Sequence, residues 1–452
     1  MNERRARRNA ASIARAALSA GLIAAGLASA LPVRCAAGEE IPARPLTLEE
    51  CTTIALRNNP TITTAEQGVV AAEAGAMAAR SSYYPQLSLS AVEGVMSRTS
   101  TVGSERREDL DLVVSQTLWQ RGRRQSVEQS AYSLQAAAFD RTTTVQSLVE
   151  QVASGYYSVL AATQLVGVAE AGVASAQSHL EQVQARADVG ATAEVDVYPA
   201  QDDLARAELD LIDTRSNVQL AFARLRNAMG VSPGLKLDLA EATFAELPQP
   251  PSLEQALQTA RQQRPEVLGS SAAVSARERS LSLARIRRGP LADVSGVYAQ
   301  GYTDWAAQDP SWDLLLSISW PLFDGYNTRS DVIVAKASLT RQEADRQRVV
   351  NQVGLEVDNA LVEVNRTRER MQASAKSVAA AEARMAAAEG KYQQGVGILL
   401  EVIDARVAVT RALADQVRAR YDYQIALVAL DRAQGTLPVP ATPLPESVRT
   451  VQ

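Results

Sequence analysis

The side chains able to do chemistry are few, and they do not assemble into a reactive set. His179 is the one histidine of the 452-residue chain and lies in "SAQSHLEQV", a helical stretch in which it reads as a surface or seam residue rather than a base or a ligand. No group of His and Cys has metal-ligand spacing, and no glycine-rich loop follows a strand to cradle phosphate. The expectation is therefore no enzyme, no metal and no cofactor, with any driving energy supplied by a partner. The basic run "QRGRRQ" at 120–125 follows a strand and reads as a membrane-surface segment, because a net charge of −5 leaves no footprint for nucleic acid.

The chemistry that the residues do specify is contact with lipid. In "SWDLLLSISWPLFDG" (311–325), Trp312, Leu314, Leu316, Ile318, Trp320 and Leu322 alternate with Ser311, Asp313, Leu315, Ser317 and Ser319. Eight residues separate the two tryptophans, roughly 27 Å along a strand. A tilt of about 40° leaves roughly 20 Å along a bilayer normal, close to the apolar band of a membrane barrel with indoles at both interfaces. An amphipathic edge strand of a soluble sheet has the same alternation.

The elements that hold such strands follow from composition. Aromatic residues make up only 4% of the chain, too few for a large globular core, and alanine takes their place, which favours long, closely approaching helices. Arg4, Arg5, Arg7, Arg8 and Arg15 precede the apolar run "AALSAGLIAAGLASALPV", the pattern of a secretory signal over 1–37, with a membrane anchor as the alternative. Small residues permit cleavage after Ala30 or Ala37, and Arg34 before Cys35 argues against a lipid anchor. Removal of Cys35 leaves Cys51 without a disulfide partner. No transmembrane helix is expected beyond residue 40, so a mature chain crosses a membrane with strands.

The chain also repeats itself. "LTLEECTTIALRNNP" (46–60) matches "PSLEQALQTARQQRP" (251–265), and the same offset of 205 pairs Arg80 with Arg285, Pro85 with Pro290, Gly190 with Gly395 and Gly230 with Gly435. This predicts a first repeat over 38–245, a second over 246–435 and a Pro-rich tail over 436–452. Each repeat has a capping-box helix, "TLEE" or "SLEQ", then a helix stopped by Pro85 or Pro290. A β-hairpin follows at about 85–119 or 290–323, and then a helical hairpin at about 123–230 or 329–435. Val402, Ala405, Val409, Ala412, Ala419, Tyr423, Ala426 and Leu430 form a seam in the last helix. Four strands per chain are half of the smallest membrane barrel, so the barrel must be shared, with eight strands in a dimer or twelve in a trimer.

These residues together resemble the TolC-like outer-membrane efflux proteins, the outer membrane factors. The resemblance rests on the duplicated opening helix, the strand ends "SQTLWQRGRR" and "SWPLFDGYNTRS", and the turn "KYQQGVGILLEVIDAR" with a following helix that ends "ALVALDRAQG". It implies an α+β membrane protein, a homotrimer whose twelve-stranded transmembrane barrel continues into a periplasmic α-helical coiled-coil barrel. Its expected partners are a periplasmic adaptor, an inner-membrane transporter and outer-membrane lipid, and its expected activity is passive export of small molecules or ions. A type I protein-secretion duct and a soluble periplasmic coiled-coil scaffold are the alternatives.

Carried onto this sequence, the resemblance makes Tyr392, Glu401 and Asp404 the pore constriction, with two carboxylates per chain favouring cations. Asp196 stands where the family can have an acid that ties the tip shut, but the matching arginine position is Gly397. Val189, Gly190, Gly395, Val396 and Gly397 are expected at the tip turns and in adaptor contact, the glycines chiefly as turn formers with φ > 0. Trp119, Trp312 and Trp320 become interface aromatics, and Asp111, Asp293 and Asp313, opposite the apolar strand faces, become lumen acids.

Overall fold

The computed structural model describes residues 44–97, 104–190, 193–241, 249–303 and 306–438. The expected leader, with Cys35, and most of the expected tail lie outside the described residues. The chain divides into two compact units, one from Met77–Val127 and Ser282–Ile333, the other from Pro42–Ala76, Glu128–Leu281 and Val334 onward.

The first unit is built on an antiparallel sheet of β1 (Gln86–Ser97), β2 (Ser104–Gln120), β3 (Leu291–Thr303), the two-residue β4 (Ala306–Ala307) and β5 (Ser311–Ser319). The order is β1-β2-β3, with β4 and β5 both on the far side of β3. Two features differ from expectation. The short β4 was not anticipated, and β5 stops at Ser319, so Trp320 and Leu322 lie beyond the strand. The reason is Pro321, which has no N–H to give to a ladder.

The second unit is helical. Helices α1 (Leu48–Asn58) and α2 (Pro60–Ser81) recur 205 residues later as α5 (Leu253–Gln263) and α6 (Pro265–Ile286). Capping boxes start both short helices. Thr47 accepts from the Glu50 N–H and Ser252 from the Gln255 N–H, with the Glu50 and Gln255 side chains reaching back. Long helices α3 (Arg123–Asp188) and α7 (Asn327–Gln393) return through α4 (Val197–Met229) and α8 (Leu399–Gln434). At 1.5 Å per residue the 66-residue α3 runs about 100 Å.

One packing contact repeats with the sequence. Asn59 Nδ2 donates to the Ala228 carbonyl at 2.8 Å, and Arg264 Nη1 donates to the Ala433 carbonyl at 3.1 Å, so both partners shift by 205. Gly230 and Gly435 close these joints with φ of 67° and 78°; a Cβ on either would come within 2.8–2.9 Å of the Asn58–Asn59 or Gln263–Arg264 backbone. Arg264 is only 2% exposed, which is tolerable because Glu266 and Glu356 both pair with it.

Alanine and valine fill the core. Ala256, Ala260, Val353, Val357, Val364, Tyr423, Ala426 and Leu430 form one cluster across α5, α7 and α8. Of the seam residues expected in α8, all but Val409 are buried. Cys51 is buried and its thiol is pushed up to about 12 by desolvation, so it is unreactive.

One expectation fails on composition. Helix α3 contains an 18-residue window with mean hydropathy 1.4, apolar enough to cross a membrane, although only 17% of that window is buried within the chain. The cause is local sequence: the stretch "QVASGYYSVLAATQLVGVA" (151–169) holds no charged residue and carries several valines and leucines.

Candidate functional sites on the sheet faces and at the helical turns

In the first unit, register sorts the side chains onto two faces. Ser90, Asp111, Ala299 and Ser311 share one row, and Val113, Val297 and Asp313 share the next on the same face. Two rows further, Thr117, Asp293 and Ser317 align. All three predicted acids therefore lie on one face, together with serines, Thr117, Val113, Val297 and Leu315. The opposite face carries Leu89, Leu112, Tyr298 and Trp312 in one row and Leu87, Val114, Gly296 and Leu314 in the next. Leu314, Leu316 and Ile318 there are 60–71% exposed, an uncovered apolar band.

Simple alternation would place Trp119 with Asp111 and Thr117 on the polar face. A β-bulge between Thr117 and Trp119 sets Trp119 opposite Ala292, which itself pairs with Ile318 on the apolar face. The bulge thus carries Trp119 to the same face as Trp312. Trp320 lies beyond that end of β5, with its Nε1 donating to the Arg288 carbonyl at 3.1 Å. Indoles consequently stand at both ends of the apolar band.

In the second unit, the turn between α7 and α8 is a compact glycine hairpin. Gly395 has φ of 76°, and the Val396 and Gly397 N–H groups both donate to the Lys391 carbonyl at 3.1 Å. Gly190 has φ of 73° at the end of α3. Gly397 departs from expectation, because its φ is not positive. It is needed for space: an added Cβ would lie 2.9 Å from Lys391 Cβ and from the Tyr392 backbone nitrogen. Val189 and Val396 are 78% and 77% exposed.

Tyr392 sits against two apolar clusters, one containing Leu180, Val183, Ala200 and Leu399, the other Ala388, Val402 and Ala405. The Arg186 guanidinium lies 5.0 Å from its ring centroid and reaches the Tyr392 and Gln393 carbonyls at 3.5 and 3.4 Å. It places a cation at the end of α7, where the unpaired carbonyls gather. Glu401 and Asp404, one helical turn apart, are both exposed and have no ionic partner among the described residues. Asp196 is half-buried and ends the 3-10 turn Glu194–Asp196.

A buried polar group beside these turns was not anticipated. Arg406 Nη1 donates to Asp203 Oδ2 at 2.8 Å, joining α8 to α4, with both side chains over nine-tenths buried. His179 proves to be a seam residue, 5% exposed and 6.1 Å from the Tyr392 ring. Desolvation first, and the charge of Arg406 second, lower its pKa to about 4, so it is a neutral imidazole at neutral pH. The available signal was position: Arg406 follows the seam residue Ala405, where a charge is out of place without a partner.

The family described as outer membrane efflux protein matches residues 52–231 and 256–436, one match in each repeat. The chain is 27% identical over 400 residues to protein CyaE of Bordetella pertussis, covering 87% of this chain and 84% of that protein. It is 24% identical over 393 residues to the outer membrane protein TolC of Vibrio cholerae, covering 85% and 89%. Its fold superposes on the solved structure of CusC with a TM-score of 0.76 at 19% identity, covering 86% of this chain and 92% of that one. With a strand unit of one apolar and one polar face and a unit of long paired helices, this chain belongs to the outer membrane efflux protein family, a family of outer-membrane transport channels.

Proposed function

We propose that the chain is the passive exit duct of a tripartite efflux pump, working as a homotrimer with a periplasmic adaptor and an inner-membrane transporter. The observation that carries this reading is the sheet itself. Among the described residues, β1 and β5 are paired on one side only, and one face of the sheet presents exposed apolar side chains, Leu87, Leu89, Leu112, Val114, Trp312, Leu314, Leu316 and Ile318. A sheet of four long strands with open edges and an uncovered apolar face is unstable in water. Three copies joined edge to edge give twelve long strands, a closed barrel with lipid outside and Asp111, Asp293 and Asp313 inside.

In this reading Glu401 and Asp404 supply six carboxylates to a narrow ring at the periplasmic end, and Tyr392 packs behind them. Val189, Gly190, Gly395, Val396 and Gly397 form the surface offered to the adaptor. The domain limits at 38–245 and 246–435 follow from the same duplication. A soluble scaffold is no longer tenable for a member of an outer-membrane family.

The test is single-channel conductance in planar bilayers, wild type beside Glu401→Ala/Asp404→Ala. Small, cation-selective currents that grow and lose selectivity in the variant support the duct and its acidic ring. Equal currents from both proteins overturn the ring, and absence of current together with release from membranes by salt alone overturns the duct.

A further inference from the structure

At the end of the sheet where the helices join, the strand-flanking segments 119–124 and 285–290 supply Arg121, Arg123, Arg124, Arg285, Arg287 and Arg288 and no acidic residue. A cleft of about 490 Å³ opens there, lined by Arg121, Arg287, Gly289, Pro290, Trp320 and Pro321. All of these belong to the strand unit. Arg121 is laid across Gly289 so closely that a Cβ on Gly289 would sit 2.1 Å from Arg121 Cδ. Trp320 forms another wall and is fixed by its bond to the Arg288 carbonyl.

The two nearby carboxylates are already engaged. Asp324 accepts from the Thr328 N–H at 2.9 Å and from its hydroxyl, and Asp331 lies 3.6 Å from Arg287. Arg123 donates to the Thr117 carbonyl at 2.6 Å and stacks on Tyr83, so it frames the site rather than entering it. Arg121 and Arg287 are both exposed, and Arg287 would share its guanidinium between Asp331 at 3.6 Å and a ligand. The cleft adjoins the end of the apolar band marked by Trp119 and Trp320, so a ligand held there has an apolar surface beside it.

We propose that this cleft seats the headgroup of an anionic glycerophospholipid, with its phosphodiester between Arg121 and Arg287 and its acyl chains along the leucine and tryptophan face. Guanidinium groups match phosphate oxygens geometrically, and paired basic residues beside interfacial indoles are how a membrane protein selects an anionic headgroup from a zwitterionic one. The inference rests on the barrel reading above, in which this end of the sheet meets the periplasmic leaflet.

The experiment uses the full-length protein in mild detergent, titrated with phosphatidylglycerol or phosphatidylcholine, with retained lipid counted by native mass spectrometry. Preferential retention of phosphatidylglycerol is expected, weakening with added salt. Arg121→Gln/Arg287→Gln should lower that retention about 25-fold, about fivefold per arginine, while Arg121→Lys/Arg287→Lys keeps most of it. Equal retention of the two lipids overturns the proposal, as does retention unchanged in the Gln variant or complete displacement by inorganic phosphate. If the Gln variant does not fold, the wild-type preference and its salt dependence decide alone. Conductance of the same preparations separates the two readings: lost lipid preference with current intact overturns the lipid seat only, and absent current overturns the duct.

Discussion

Arg406 and Asp203 meet at 2.8 Å with side chains 6% and 9% exposed, which ties α8 to α4 beside the turns that carry the candidate constriction. A charge pair so far from water stabilises little by itself but is costly to break, because the surviving partner is left desolvated. Arg406→Met is therefore expected to destabilise the protein by about 3–5 kcal/mol, and Asp203→Leu added to it should restore most of the loss. Denaturant unfolding followed by circular dichroism checks this; if the double variant is no more stable than the single, the pair is not what holds the two helices.

His179 makes the same region sensitive to acid. Its folded pKa of about 4 lies below the ordinary 6.5, so the unfolded chain takes up a proton first as pH falls. The stability due to the neutral imidazole is full above about pH 6.5 and is lost progressively down to about pH 4, at roughly 1.4 kcal/mol per pH unit. Wild type is expected to lose about 2 kcal/mol more than His179→Gln between pH 7.5 and pH 5. Identical pH dependence in the two proteins would refute the assignment.

The two glycines of the second turn should respond differently to substitution. Gly395 has φ of 76° with open space around it, so Gly395→Asn, which tolerates the left-handed region, should be nearly neutral and Gly395→Ala should cost about 1 kcal/mol. Gly397 is constrained by contact instead, and both Ala and Asn there must displace the Lys391–Tyr392 backbone. Thermal unfolding of the four variants distinguishes the two causes: recovery by Asn is expected at Gly395 alone.

The sheet faces give a prediction about assembly. Leu316 lies on the apolar face opposite Val294, and Ser317 on the polar face opposite Asp293. Leu316→Arg is expected to cost about 2–4 kcal/mol of barrel stability in lipid, whereas Ser317→Arg should assemble almost normally. Yields in outer-membrane fractions and unfolding in lipid vesicles measure it, and equal behaviour of the two would mean that the faces are assigned the wrong way round.

Much of this was legible without coordinates, for reasons that belong to sequence. A period of two in β5 and an offset of 205 are linear properties of the chain, and the capping boxes at Thr47 and Ser252 and the prolines at 60 and 265 act within a few residues of themselves. They determined the two repeats, the order of helices and strands, the apolar and acid-bearing strand faces, and the glycine turns at 190 and 395. Tertiary structure decided what depends on a partner distant in the chain. The bulge that carries Trp119 across the sheet exists only as a register against β3. The need for glycine at 397 comes from the helix end folded back on it, and the burial of His179 and Arg406 from helices α4, α7 and α8 meeting beside them. Periodicity states which face a residue occupies; only the packed neighbour determines what that face touches, and therefore its charge state and its tolerance of change.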